Sequence, residues 1–168
     1  MSEYSLNSAE GKKWIPWFTR IFDDGLTVPM AEVLHELGVR AAFVFHSEDG
    51  LDELTTTAIN HVAHFDNGVI RQFDLDAREL GLPRASREDL RGGGPAENGE
   101  ITRAILGGEQ GARRDVVLLN SAAGLVVGGR AADLPEGLQQ AAEAIDSGRA
   151  LTVLSNLTRL TQDMHRDT

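Results

Sequence analysis

The chain has 168 residues, 41% hydrophobic and 25% charged, the composition of one folded domain with one core rather than of a disordered segment. Its 26 acidic residues against 16 Lys and Arg leave a formal charge of -10, which argues against non-specific binding to nucleic acid or to an anionic membrane surface. No cysteine is present, so disulfides, thiolate catalysis and Cys-based zinc sites are excluded, and a cytoplasmic protein is expected.

Residues 1–10 are polar, and Trp14, Trp17, Phe18 and Ile21 then recur at helical spacing, which predicts one amphipathic turn or two. The apolar run after Lys12-Lys13 is too short for a signal peptide, and no run is long enough to span a bilayer. A helix signal follows. Thr27 is placed to cap it, Pro29 suits its first turn, Met30, Val33, Leu34 and Leu37 make one apolar face, and Gly38 stops it. The apolar run 39–46 then reads as a buried strand. A helix leading into a buried strand is half of a βαβ crossover; the earlier parallel strand is missing from the chain or reduced to a short stretch near Ile21.

The Thr-rich stretch 54–59 suits extended backbone. Asn67-Gly68, with apolar runs at 62–65 and 69–75, predicts a β-hairpin. Residues 76–87 read as a connection. Gly92-Gly93-Gly94-Pro95 breaks the chain before a helix over 96–106. Residues 115–127 are apolar on all sides and predict a buried helix, in which Asn120 and Ser121 are expected to bond backbone or a neighbour. Asp133-Leu134-Pro135-Glu136 starts a helix with Leu138, Ala141, Ala142 and Ile145 as its stripe. A last helix runs from Arg149 to about Thr161 with Leu151, Leu154, Leu157 and Leu160, before a polar tail.

The chemistry centres on Ser47-Glu48-Asp49-Gly50-Leu51-Asp52-Glu53, which puts four carboxylates into residues 48–53 just after a buried strand. In open α/β sheets ligands bind beyond the carboxyl ends of the strands. Clustered carboxylates repel one another unless a cation lies between them, and magnesium suits oxygen ligands; the alternative is a solvated acidic turn. Asp52 and Glu53 are the foremost metal candidates, with Asp49 and Glu48 behind them. His61 and His64 lie three apart on a strand and so point to opposite faces, which keeps them from sharing a metal. His35 falls on the polar side of its helix. The Gly92–Gly94 triplet lacks the Lys or Ser of a phosphate motif, and Glu97 already satisfies the helix dipole there, so a structural turn is expected.

These landmarks fall in an order that resembles the C-terminal part of anthranilate phosphoribosyltransferases. The resemblance rests on Phe22-Asp23 with Pro29-Met30-Ala31-Glu32-Val33-Leu34, on Asp49-Gly50-Leu51-Asp52-Glu53, on Leu82-Pro83-Arg84-Ala85, on Leu90-Arg91-Gly92-Gly93, on Glu97-Asn98, and on Arg113-Arg114-Asp115-Val116-Val117-Leu118-Leu119-Asn120. It implies an α/β fold: the C-terminal portion of a parallel-sheet phosphoribosyltransferase domain with a β-hairpin and several C-terminal helices. Residues 22–162 would be the partial domain, 1–21 a divergent segment and 163–168 a polar tail. The implied reaction is phosphoribosyl transfer from phosphoribosyl pyrophosphate (PRPP) to anthranilate in tryptophan biosynthesis, with Asp52 and Glu53 binding Mg. The family's Gly-Thr-Gly-Gly-Asp phosphate loop, its Lys-His-Gly-Asn-Arg segment and its anthranilate-holding residues do not occur in the 168 residues, and Gly94 stands where Asp is frequent. The expectation is therefore inactivity alone, with PRPP and anthranilate as partners once an N-terminal half completes the site. Self-association or a partner subunit is the further expectation, and a non-catalytic interaction protein derived from the fold is the alternative.

Overall fold

The computed structural model describes residues 17–166. Its framework is a four-stranded sheet, β1 Trp17–Arg20, β2 Ala41–Ser47, β3 Asn60–Asp66 and β4 Val69–Leu75, ordered β1-β2-β3-β4. β1 runs parallel to β2, and β2–β3 and β3–β4 are antiparallel. Helix α1 (Thr27–Glu36) connects the parallel pair. Four helices follow the sheet: α2 Pro95–Leu106, α3 Ala112–Val127, α4 Leu134–Asp146 and α5 Arg149–Arg166.

Strand alternation divides the core into two layers. Phe43, Phe45 and Val62 project to one face and pack with Leu54, Leu119, Ala123 and Val127, so α3 covers that side. Ala42, Val44, Ala63 and Phe65 project to the other and pack with Ile21, Ala31 and Leu34, so α1 covers it. A third cluster, Ile105, Leu118, Ala141 and Ile145, joins α2, α3 and α4. The hairpin forms where Asn67-Gly68 predicts it. Both residues have positive φ, 46° and 87°, as a two-residue type I′ turn demands.

The structure departs from the sequence expectations in several places. Residues 17–20 are a strand, not a helical turn; Phe18 leans on Phe45 with ring centroids 4.8 Å apart while Ile21 joins the opposite core layer. Trp14 lies outside the described residues. The buried side of α1 is Thr27, Ala31 and Leu34, whereas Met30, Val33 and Leu37 of the expected face are exposed. Thr27 is the first helical residue rather than the cap, and its Oγ1 donates to the Asp24 carbonyl at 2.9 Å. Residues 54–59 are bends and open loop, not strand. Helix α5 continues past Thr161 to Arg166, with Leu157 and Leu160 exposed.

α3 and α4 touch through small residues. A Cβ on Gly137 would stand 2.8 Å from the Ala122 carbonyl oxygen and 2.9 Å from its Cα. Gly137→Ala gains about 1 kcal/mol of helix propensity. It must also push two backbones apart, and such overpacking costs about 1–3 kcal/mol. A lower urea midpoint than the parent is expected; an unchanged or higher midpoint would show that the helices separate freely.

Candidate functional site

The acidic stretch leaves β2 at its C-terminal end and lies between the sheet and α3. Two asparagines fix the backbone immediately after it. Asn120, on α3, accepts from the Leu54 N–H through Oδ1 at 2.9 Å and donates from Nδ2 to the carbonyls of Leu54 at 2.8 Å and Val116 at 2.9 Å. Asn60, fully buried at the start of β3, accepts from the Thr55 N–H at 2.8 Å and donates to the carbonyls of Thr55 and Leu75. The buried Ser47 hydroxyl lies 2.7 Å from Asn60 Oδ1 and 2.9 Å from the Glu53 carbonyl. Glu53 and Leu54 are thus held from both sides by groups that cannot move without leaving buried polar atoms unpaired.

The four carboxylates divide into two pairs. Asp49 is used by the loop itself: its oxygens accept from the Leu51 N–H at 3.0 Å and from the Thr57 hydroxyl. Burial pushes the Asp49 carboxyl up, but the hydrogen bonds from Thr57, Leu51 and Thr55 and the charge of Arg87 outweigh that and hold it below its ordinary value. Glu48 lies 3.4 Å from His61 Nε2, whose Nδ1 donates to Asp74 at 2.7 Å. That hydrogen bond to Asp74, opposed by partial burial and aided by the charges of Asp24, Asp74 and Glu48, raises the His61 pKa. The other pair, Asp52 and Glu53, is exposed, and their carboxylates make no hydrogen bond or ion pair among the described residues. Loss of solvent around the Glu53 carboxyl, then the charges of Asp52 and Asp49, raise its pKa. The loop therefore concentrates uncompensated negative charge at Asp52 and Glu53.

That donor set fits a hard divalent cation, since oxygen ligands suit it and its charge relieves the repulsion around Glu53. It fits only a shared site. No group of three His, Cys, Asp or Glu side chains placed to hold a metal occurs among the described residues.

The other candidates take structural roles. His46, His61 and Asp74 face one another across β2, β3 and β4 on the α1 side, and His46 Nδ1 donates to the Ile21 carbonyl at 3.1 Å. His64 lies on the opposite face against Phe43, ring centroids 5.3 Å apart, as the alternation of the strand requires. His35 is exposed, with its ring centroid 4.8 Å from that of Phe65. At the glycine triplet the Asn98 side chain bonds both the N–H and the carbonyl of Gly93, at 2.8 and 2.9 Å, which makes it a turn. Asn120 bonds backbone, as its place in an apolar helix predicts. Asn60, Ser47 and Thr55 were not legible as supports, because a polar residue at a strand end or in a loop reads locally as turn chemistry.

The described residues include no helix long and apolar enough to cross a membrane. A family model described as glycosyl transferase family, a/b domain, matches residues 19–151. The chain is 52% identical over 133 residues to the anthranilate phosphoribosyltransferase of Parvibaculum lavamentivorans, covering 79% of this chain and 39% of that protein. It is 47% identical over 137 residues to that of Rhodospirillum rubrum, covering 82% and 40%. Among solved structures, the anthranilate phosphoribosyltransferase of Thermus thermophilus superposes with a TM-score of 0.72 at 38% identity, over 80% of this chain and 40% of that one. The Saccharomyces cerevisiae enzyme in complex with PRPP and Mg gives 0.70 at 25% identity, over 80% and 39%. The chain spans about 40% of the length of the relatives it matches.

Proposed function

The chain belongs to the glycosyl transferase family of the matching a/b domain, and from that premise we propose that it is the metal-loop segment of an anthranilate phosphoribosyltransferase, whose site an N-terminal half would complete. The observation that carries this reading is the division of the acidic stretch. Glu48 and Asp49 are occupied by His61, Leu51 and Thr57, while Asp52 and Glu53 are presented without partners on a loop pinned by Asn60 and Asn120. Asp52 and Glu53 would hold magnesium together with a pyrophosphate. Bound there, the ion would supply positive charge to offset the negative charge of the pyrophosphate. The asparagine bonds to Leu54 and Thr55 hold the backbone next to Glu53, so that end of the loop would keep its place when the metal's charge is added. Within this reading residues 22–162 carry most of the domain, with β1 and Ile21 adding to its sheet and core; the substrates are PRPP and anthranilate, and the compartment is the cytoplasm.

Two carboxylates leave most of a magnesium coordination sphere to water, so the chain alone is expected to bind magnesium weakly, with a Kd in about the millimolar range. Calorimetric titration with magnesium, then with magnesium plus pyrophosphate, tests this. Pyrophosphate is expected to tighten binding, and Asp52→Asn with Glu53→Gln to abolish it. Binding that survives the double substitution sinks the assignment.

A second reading, a non-catalytic interaction module, draws on the exposed apolar residues of α1 and α5. Val33, with Leu26 and Leu37 at the ends of α1, is exposed, as are Val153, Leu157, Leu160 and Met164 of α5. Surfaces of this kind mark contact sites on soluble domains.

A further inference from the structure

At the end of the sheet away from the acidic loop, a cavity of about 500 Å³ opens between the start of β2, the β3–β4 hairpin and the end of α3. Its charged lining is unusual for a chain of net charge -10: two guanidinium groups, Arg40 and Arg71, with the imidazole of His64 and one carboxylate, Asp66. We infer that this cavity is a binding site for a phosphoryl group, as inorganic phosphate or as a phosphate monoester.

One oxygen of the Asp66 carboxylate accepts from a neutral amide, which leaves its negative charge beside the two guanidinium groups. Asn67 donates from Nδ2 to Asp66 Oδ1 at 2.9 Å, and with its Oδ1 it accepts from Arg40 Nε at 3.3 Å. One amide thus bonds one oxygen of Asp66 and orients Arg40. The Asn67 backbone is fixed in turn, because its N–H donates to the Arg40 carbonyl at 3.1 Å and its φ of 46° is set by the hairpin turn. Arg71 stands directly across from His64 in the β3–β4 register and forms no ion pair with a carboxylate among the described residues. Three carbonyls near the end of α3 already have donors. Gly124, Val126 and Leu125 accept from Gly128, Gly129 and Arg130 at 2.9, 3.0 and 2.8 Å. Guanidinium forks match phosphate oxygens in planar pairs, and the volume accommodates a sugar phosphate as well as the free ion.

His64 reports occupancy. Burial lowers its pKa and Arg71 lowers it further, against an upward pull from Asp66; Arg40 is the remaining charge lining the cavity. An anion seated between the arginines favours the imidazolium. Imidazole resonances of the intact chain, with His64 assigned through His64→Gln, are followed in sodium phosphate and in sodium chloride of equal ionic strength. The His64 midpoint is expected to lie higher in phosphate by about half a unit or more. Arg71→Gln is expected to weaken the phosphate response about tenfold, and Arg71→Lys to restore part of it. Asn67→Gly keeps the turn but removes the amide, and should weaken the response as well. A tighter response to ribose 5-phosphate than to inorganic phosphate assigns the monoester; an equal response assigns the free ion. The same midpoint in both salts, or a response that Arg71→Gln leaves intact, overturns the inference. So does loss of the response in Asp52→Asn with Glu53→Gln, because that would place the anion at the acidic loop.

Discussion

Phosphoribosyl transfer is expected from a mixture of this chain with the N-terminal half of a family member, and from neither component alone. The measurement is anthranilate-dependent consumption of PRPP in the presence of magnesium. The reason is a division of labour. On the proposed reading this chain would contribute carboxylates for a metal, whereas its 168 residues contain no Gly-Thr-Gly-Gly-Asp string to cradle the phosphates. Positioning two reactants is worth about 10⁵-fold or more in rate, and stabilising developing charge about 10²–10³-fold for each donor. A chain that holds only the metal end loses both contributions, so its turnover should not exceed background. In the active mixture, Asp52→Asn with Glu53→Gln should remove most of the gain. Robust turnover by the chain alone overturns the division. A folded chain that stays inactive in the mixture shifts the assignment to the interaction module, with the exposed faces of α1 and α5 as its surfaces.

The sequence was most informative where one local rule decides the outcome. Asn67-Gly68 demands a type I′ turn and obtains it; Asp133 caps α4 by accepting from the Glu136 N–H at 2.9 Å. It was least informative where two elements compete for the same surface. Helix α1 carries apolar residues around much of its circumference, so periodicity alone cannot say which sector meets the sheet. The small Ala31, wholly buried, permits the close approach, while the larger Met30, Val33 and Leu37 remain outside. β1 is only four residues long, too short for alternation to outweigh the chance helical spacing of its aromatics. At the acidic stretch, composition pointed to the carboxylates. It could not separate the two used by the fold from the two left unpartnered, because that division depends on Thr57 eight residues on and on His61 from the next strand.

The other large effect concerns the clamp that makes the loop rigid. Asn120→Leu conserves approximate volume and suits the apolar helix, so packing alone predicts little loss. Hydrogen bonding predicts the opposite. The substitution leaves the Leu54 N–H and carbonyl without the partners they have on Asn120, beside a side chain that is fully buried. Each unsatisfied buried group costs about 1–3 kcal/mol, so a destabilisation of about 3 kcal/mol is expected in urea unfolding. Asn120→Asp separates shape from hydrogen bonding. A carboxylate still accepts from the Leu54 N–H but cannot donate to the carbonyls of Leu54 and Val116, and their oxygens repel it. Its folded-state pKa is therefore raised above the unfolded value. The ionised form is penalised, so the deficit is full above the folded-state pKa, narrows as pH falls through it, and is smallest below the unfolded value of about 4. If Asn120→Leu is as stable as the parent, the clamp is dispensable. If Asn120→Asp shows no pH dependence of that sign, the amide is not donating where the structure places it. Magnesium binding in the presence of pyrophosphate should weaken in both variants, because Glu53 is fixed one residue away from the bond that is lost.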